Sequence, residues 1–258
     1  MSEQAVDMSV TARGSLRVGD VLGRSFSVFG RHFLLFVVIT AVVTAPNLFF
    51  SMKFAGVAAA QQATPGTILP GFWSLMLESA VVGLALYALS QAMVLHGAFQ
   101  DMLGRPVSLR ESMNRVAARL VPLILTLICL YVVVVLGMIL LIVPGIMVAI
   151  MAAVAFPVCL IENLGPIASF WRSVELTKGS RWKIFAAFMV PAMVGGGVNF
   201  ALRKLAGIAV GPEWAVLVTF PLAAALTSFL SVLSVVIYHD LRVAKEGHYT
   251  DQIAAVFD

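Results

Sequence analysis

The sequence predicts an all-α membrane protein, with six transmembrane helices and three amphipathic interfacial helices on the cytoplasmic side. Three observations predict it. Of 258 residues, 60% are hydrophobic and 12% charged, whereas a soluble domain carries about 25% charged residues. Six apolar runs reach or approach the roughly 20 residues that a helix needs to cross a hydrocarbon core. A basic amphipathic stretch precedes each odd-numbered run. This composition excludes intrinsic disorder, a collagen-like fibre and, with 2 cysteines, a disulfide scaffold.

In chain order, residues 1–17 read as a tail, 18–242 as the membrane domain and 243–258 as a second tail with a helix after Thr250. Glu3, Asp7 and Asp20 ahead of the first run argue against a cleavable signal. Val18, Val21, Leu22, Phe26 and Phe29 follow helical spacing opposite Arg17, Asp20, Arg24, Ser27 and Arg31, the pattern of a helix lying on a membrane surface. The spans follow at about 33–52, 72–93, 120–141, 145–161, 184–202 and 214–238. Lys53 to Gly71 is an outer loop. Ahead of span three, Leu109, Met113, Val116 and Leu120 oppose Glu111, Arg115 and Arg119, and Ser108 with Glu111 has capping-box spacing. Spans three and four meet at Val143, Pro144 and Gly145 as a tight hairpin. Ahead of span five, Ile167, Phe170, Trp171 and Val174 accompany Arg172, Lys178, Arg181 and Lys183. An interfacial helix followed by a helical hairpin is thus repeated three times.

Fourteen of the 17 lysines and arginines fall in the tails and the even-to-odd connections, and Lys53, Arg203 and Lys204 on the other side. Basic flanks stay in the cytoplasm, so both termini are expected there, and the net charge of +4 suits anionic lipid headgroups. Arg24, Arg31, Arg110, Arg115, Arg119, Arg172, Lys178 and Arg181 are the lipid-binding candidates. No base-reading element accompanies the charge, so nucleic acid is not an expected partner. A membrane-protein partner or a second copy of the chain is the other partner class.

Polar groups inside apolar runs are functional candidates by default. Glu78, Gln91 and Asn199 stand there, and Gly195, Gly196 and Gly197 could unwind span five as discontinuous transporter helices do; amides in such places also simply tie helices together. Prolines 46, 122, 157, 191 and 221 put kinks into five spans. His32, His96 and His239 fall near Asp101, Glu162 and Asp240 at one depth, but no ligand spacing supports a metal. Cys129 and Cys159 are expected to pack at similar depth on neighbouring helices. No phosphate loop, nucleophile elbow or paired acid appears, so neither enzyme activity nor a cofactor is expected.

Between spans four and five, Pro157, Glu162, Gly165, Ser169, Arg172, Ser173, Leu176, Thr177, Lys178, Gly179, Arg181 and Trp182 are dense and specific. Glu162 is expected to pair with one of the cations that follow it, Arg172, Lys178 or Arg181, as a structural clamp, and Gly179, Trp182, Asp240 and Arg242 are further structural or coupling candidates. The stretch from Leu141, Val143, Pro144 and Gly145 to Phe185, with Tyr238, Asp240, Leu241 and Arg242, resembles the membrane domain ahead of the catalytic domain in some bacterial glycerophosphodiester phosphodiesterases. The resemblance implies a six-helix bundle in a bacterial inner membrane. It does not imply hydrolysis, which in that family belongs to a separate soluble barrel. The sequence therefore leaves two main readings, an accessory or scaffold protein that binds anionic lipid, and a small-solute or lipid transporter around Glu78, Gln91 and Gly195 to Gly197.

Overall fold

Apolar side chains without charge for some 20 residues must bury their backbone polarity in helices once water is absent, and helices account for the whole architecture. The computed structural model describes residues 17–63, 71–105 and 109–257. Its helices are α1 (Val18–Arg31), α2 (Phe33–Thr44), α3 (Pro46–Ala63), α4 (Phe72–Met102), α5 (Leu109–Leu140), α6 (Ile142–Met151), α7 (Ala155–Ile161), α8 (Pro166–Thr177), α9 (Arg181–Val210) and α10 (Pro212–Phe257), with no strand among the described residues. Five segments are long and apolar enough to cross a membrane, and the bent α1–α2 pair makes up to six. The chain is an all-α membrane protein.

All four tryptophans agree with that reading. Trp73 and Trp214 are exposed at one end of the bundle, Trp171 and Trp182 at the other, as expected of side chains that anchor at the two interfaces. The lipid-facing surface between them carries exposed Val121, Leu125 and Leu136 on α5 and Val190, Val194 and Ile208 on α9.

Several expected boundaries move. The first amphipathic helix is separate, and α1 meets α2 at a bend of 78° at His32, where φ is −123°. The elbow is held by Asp101 at the end of α4, which accepts from Arg31 at 3.2 Å and lies 3.0 Å from His32 Nε2. The second is not a separate helix: α5 runs as one helix from Leu109 to Leu140, straight through Pro122, whose missing donor does not end it. Ser108, its expected cap, lies outside the described residues. Span one is interrupted at Pro46, where the ring removes a donor, but Ala45 stays right-handed helical and α3 continues into the expected outer loop. Spans five and six also overrun their predicted ends and meet across Gly211 alone, at φ +92°; Arg203 and Lys204 are helical rather than in a loop. The tail beyond Val243 continues α10 instead of starting a helix after Thr250.

The hairpin between spans three and four turns earlier than expected, at extended Leu141. Pro144 and Gly145 then belong to the first turn of α6, where a missing N–H costs nothing. Gly145 is needed for contact rather than for the turn. A Cβ there would stand 2.7 Å from the backbone nitrogen of Met138, and one on Gly137 3.0 Å from the Cα of Gly145, so α5 and α6 touch backbone to backbone.

Span four is broken at Ala152 to Val154, just ahead of Pro157, the proline expected to kink it, whose missing N–H leaves the Ala153 carbonyl without its helical donor. The freed backbone groups are satisfied by neighbouring hydroxyls. Ser173 Oγ donates to Met151 O at 2.6 Å and accepts from Val154 N at 3.3 Å, while Ser234 Oγ donates to Ala153 O at 3.0 Å. Ser234 is one rung of a seam on α10. Ser228 meets Thr40 Oγ1 at 2.7 Å and Phe36 O at 3.1 Å, Ser231 donates to Gln91 Oε1, and Tyr238 reaches Glu162. With Val232, Leu233, Val235, Val236 and Ile237 buried between these rungs, α10 is the strut against which α1, α2, α4, α7, α8 and α9 pack.

Gly145→Ala should lower stability in detergent by about 1–3 kcal/mol, the cost of overpacking against backbone. Gly196→Ala, with nothing within 4 Å of the added Cβ, should be neutral or gain up to about 1 kcal/mol of helix propensity. Thermal melts of the two variants side by side check this, and equal losses would contradict the packing.

Candidate functional site

The charged residues gather at the end of the bundle where α1 bends into α2 and where α4, α7 and α10 finish their apolar segments. Their placement follows from topology, since every even span ends there and every odd span begins there. We term it the basic end.

Its centre is a closed ring of five side chains. Arg172 on α8 donates from Nε to Glu162 Oε2 at 3.2 Å and from Nη2 to Glu246 Oε1. Arg242 donates from Nε to Glu246 Oε2 at 2.7 Å and from Nη1 to the Tyr238 hydroxyl at 3.3 Å. Tyr238 closes the ring by donating to Glu162 Oε1 at 2.9 Å. Two guanidinium groups face two carboxylates, so the ring carries no net charge. It fastens the end of α7, the middle of α8 and the stretch of α10 from Tyr238 to Glu246 to one another. Gly165, extended at φ −74° and ψ 170°, lets Pro166 start α8 directly beneath α7. Gly179, at φ +90°, makes the turn into α9 where a side chain would be strained. Partial burial pulls the Arg172 guanidinium down, but Glu162 and Glu246 outweigh it and hold the group above its ordinary value.

Further pairs brace the rest of the basic end. Arg24 forks onto Asp240 at 2.7 and 2.6 Å, the bidentate geometry that favours arginine, and ties α1 to α10. Arg119 donates to Asn163 O at 3.0 Å, a carbonyl presented by a left-handed residue at φ 58°. Glu175 meets Arg172 at 3.4 Å and its carbonyl accepts from Lys245.

These bonds divide the predicted lipid-binding set. Arg24, Arg31, Arg119 and Arg172 are engaged inside the fold. Arg110, Arg115 and Lys178 are exposed, as are Arg105 and Lys183, and among the described residues none of the five has a carboxylate within 4.0 Å. Arg181 is half-buried, and its Nε has no partner among the described residues. Trp182 is exposed with its ring edge-on to Phe185.

The transport candidates do not converge. Glu78 lies exposed on α4, about 20 Å along the helix from Gln91. Gln91 is buried and tied to Ser231. Asn199 Nδ2 donates to Thr219 O at 3.5 Å, joining α9 to α10. The expected unwinding at Gly195 to Gly197 is absent, since α9 is continuous there. Gly195 admits Leu226, whose Cδ1 would lie 2.6 Å from an added Cβ, while Gly196 and Gly197 face open space. The discontinuous span is the fourth instead, because Ser173 and Ser234 supply partners for freed backbone that span five does not need. A cavity among the described residues holds about 390 Å³ and is apolar, between Met138, Ile146, Ala149 and Ala153 on one wall and the first three turns of α9 on the other.

The histidines and cysteines follow expectation in part. His32 Nε2 lies 3.0 Å from Asp101 and His239 Nδ1 3.7 Å from Asp240, as expected, whereas His96 Nδ1 lies 2.8 Å from Ser112 Oγ; no group of three metal-ligating side chains occurs among the described residues. Cys159 is buried and accepts from Thr126 Oγ1 at 3.3 Å, but Cys129 faces outward rather than packing. Glu175, Glu246 and the serines of α10 escaped the sequence analysis. Tyr238, Arg242 and Glu246 at i, i+4 and i+8 were the available signal for one edge of the ring, and Ser228, Ser231 and Ser234 at i, i+3 and i+6 for the seam.

Glu162→Gln and Arg172→Gln should each lower stability by about 1–3 kcal/mol, because each strands a partly desolvated partner. The double variant should lose less than the sum of the two, since the bond between them is lost once. Melts of the four forms check the ring, and strict additivity would show that Glu162 and Arg172 act separately.

Compared with models of protein families, with curated proteins and with solved structures, the chain matches none.

Proposed function

We propose that this protein is a non-enzymatic accessory or scaffold protein of a bacterial inner membrane, with its basic end in the cytoplasm holding anionic lipid headgroups. One observation carries the reading. Asp240, Asp101, Glu162 and Glu246 are taken up by Arg24, Arg31, Arg172 and Arg242, whereas Arg105, Arg110, Arg115, Lys178 and Lys183 are exposed with no carboxylate within 4.0 Å among the described residues, a surplus of positive charge. Each cation near an anionic surface is worth about 1 kcal/mol. The neutral ring supports the same reading, since it stiffens the platform from which the surplus projects. The resemblance to the phosphodiesterase membrane domain fits a role as a membrane module but adds no activity. A transport reading would need Glu78, Gln91 and Gly196 along one polar path, and they lie apart.

Replacing Arg110, Arg115, Lys178 and Lys183 together by glutamine should strip most retained phosphatidylglycerol or cardiolipin in native mass spectrometry, while Arg24→Gln should lower thermal stability and leave lipid retention in place. Unchanged retention in the fourfold variant would end the lipid-binding reading. A cysteine placed at Lys178 should resist an impermeant reagent added outside intact cells; labelling there would invert the topology.

A further inference from the structure

Resting on that lipid-binding reading, we propose that the cavity against α9 is a site for one anionic phospholipid, its phosphate held by Arg181 and one acyl chain lying in the groove. The wall of the groove on α9 consists of Ile184, Phe185, Phe188, Met189 and Ala192. Counted from Arg181, these are positions i+3, i+4, i+7, i+8 and i+11, one continuous helix face. Arg181 therefore stands on the same stripe as the groove, one turn toward the basic end. The stripe from Arg181 to Ala192 rises about 16 Å, close to the depth of one leaflet of a roughly 30 Å hydrocarbon core. Exposed Trp182 sets the level of the first turn at the interface, where aromatic rings anchor.

The two ends of the site differ in chemistry as a phospholipid does. The groove is lined by side chains without a polar group, and its volume of about 390 Å³ lies in the range of sites that enclose a ligand. One turn toward the basic end from the groove, Arg181 has a buried Nε with no acceptor among the described residues, and a buried donor of a charged group calls for one. Partial burial lowers the Lys245 ammonium first, Glu175 draws it back, and Lys178, Arg172 and Arg181 repel it. Arg172 is neutralised in the ring and Glu175 offsets one further charge, so Lys178, Arg181 and Lys245 still leave a local excess of positive charge. An anion placed among them relieves that repulsion. A zwitterionic headgroup fits less well, because its own ammonium would enter the same cluster.

The test uses the full chain in nanodiscs of phosphatidylcholine doped with a phosphatidylglycerol that carries a photoreactive group on one acyl chain, or with phosphatidylcholine carrying the same chain. The expected result is labelling of peptides from α6 and from Ile184 to Ala192 by the anionic probe in preference to the zwitterionic one. Arg181→Gln should reduce that labelling about fivefold, consistent with removal of one surface cation. Ala192→Phe should block it by filling the groove, and Ala149→Phe does the same from the opposite wall if the first variant fails to fold. Equal labelling by the two probes, or full labelling in Arg181→Gln, would overturn the site. The broader reading fails separately: if Arg110→Gln with Arg115→Gln removes bulk lipid retention but spares the groove label, both stand, and if native mass spectrometry retains phosphatidylglycerol while the groove stays unlabelled, only the site falls.

Discussion

Hydrocarbon offers no hydrogen-bond partner, so every polar atom carried into it must be satisfied by the protein itself. The rest of this structure depends on how α10 meets that constraint. Its serines each reach a different neighbour: Ser228 the second helix, Ser231 the fourth, and Ser234 the carbonyl freed where span four breaks. Apolar contact alone would not select these partners, because lipid tails compete with leucine and valine on equal terms. Hydroxyls that find an acceptor at one rotation and one depth do select them. The break at Ala152 to Val154 is tolerated for the same reason, since Ser173 bonds to backbone on both sides of it.

Charge obeys the same rule more severely. Apart from Glu78 on the α4 surface and Lys53, Arg203 and Lys204 toward the opposite end, the described charged side chains of the helices collect at the basic end, where they meet one another and water. There the fold separates two uses of positive charge. Arg24, Arg31, Arg172 and Arg242 are balanced by Asp240, Asp101, Glu162 and Glu246 and hold helices together. Arg110, Arg115, Lys178 and Lys183 are exposed and have no carboxylate within 4.0 Å among the described residues. A residue type that looks uniform in the sequence thus has two roles, and only the second suits an external anion.

The large features were legible because they rest on long-range regularities. Runs of apolar residues located the spans, and the bunching of arginine and lysine located the basic end. The pairing of Glu162 with Arg172 was also legible, since the chain must fold back beneath α7 within a few residues. Local breaks were legible only where a proline marked them, as Pro46 and Pro157 did. The hairpin turns at Leu141 because Gly145 lets α6 press on Met138, a contact between distant backbones that spacing does not encode. The discontinuity falls in span four rather than at Gly195 to Gly197, because a helix in a membrane yields where hydroxyls wait to bond its freed groups, and those hydroxyls lie on α8 and α10. Glycines facing a neighbour such as Leu226 leave the ladder intact. The ring escaped because its closing members, Tyr238 and Glu246, join it only once α10 extends as one helix through the predicted tail.

The division of the cations is tested most directly by melting the unmodified protein in nanodiscs of purely zwitterionic and of anionic lipid over a range of salt. A ligand that binds only the folded state raises the melting temperature, and surface attraction fades as the screening length contracts from about 10 Å at 0.1 M to about 3 Å at 1 M salt. The account predicts a higher melting temperature in anionic lipid at low salt, with the difference vanishing near 1 M while the melt in zwitterionic lipid barely moves. Identical melting temperatures in the two lipids at low salt would contradict it.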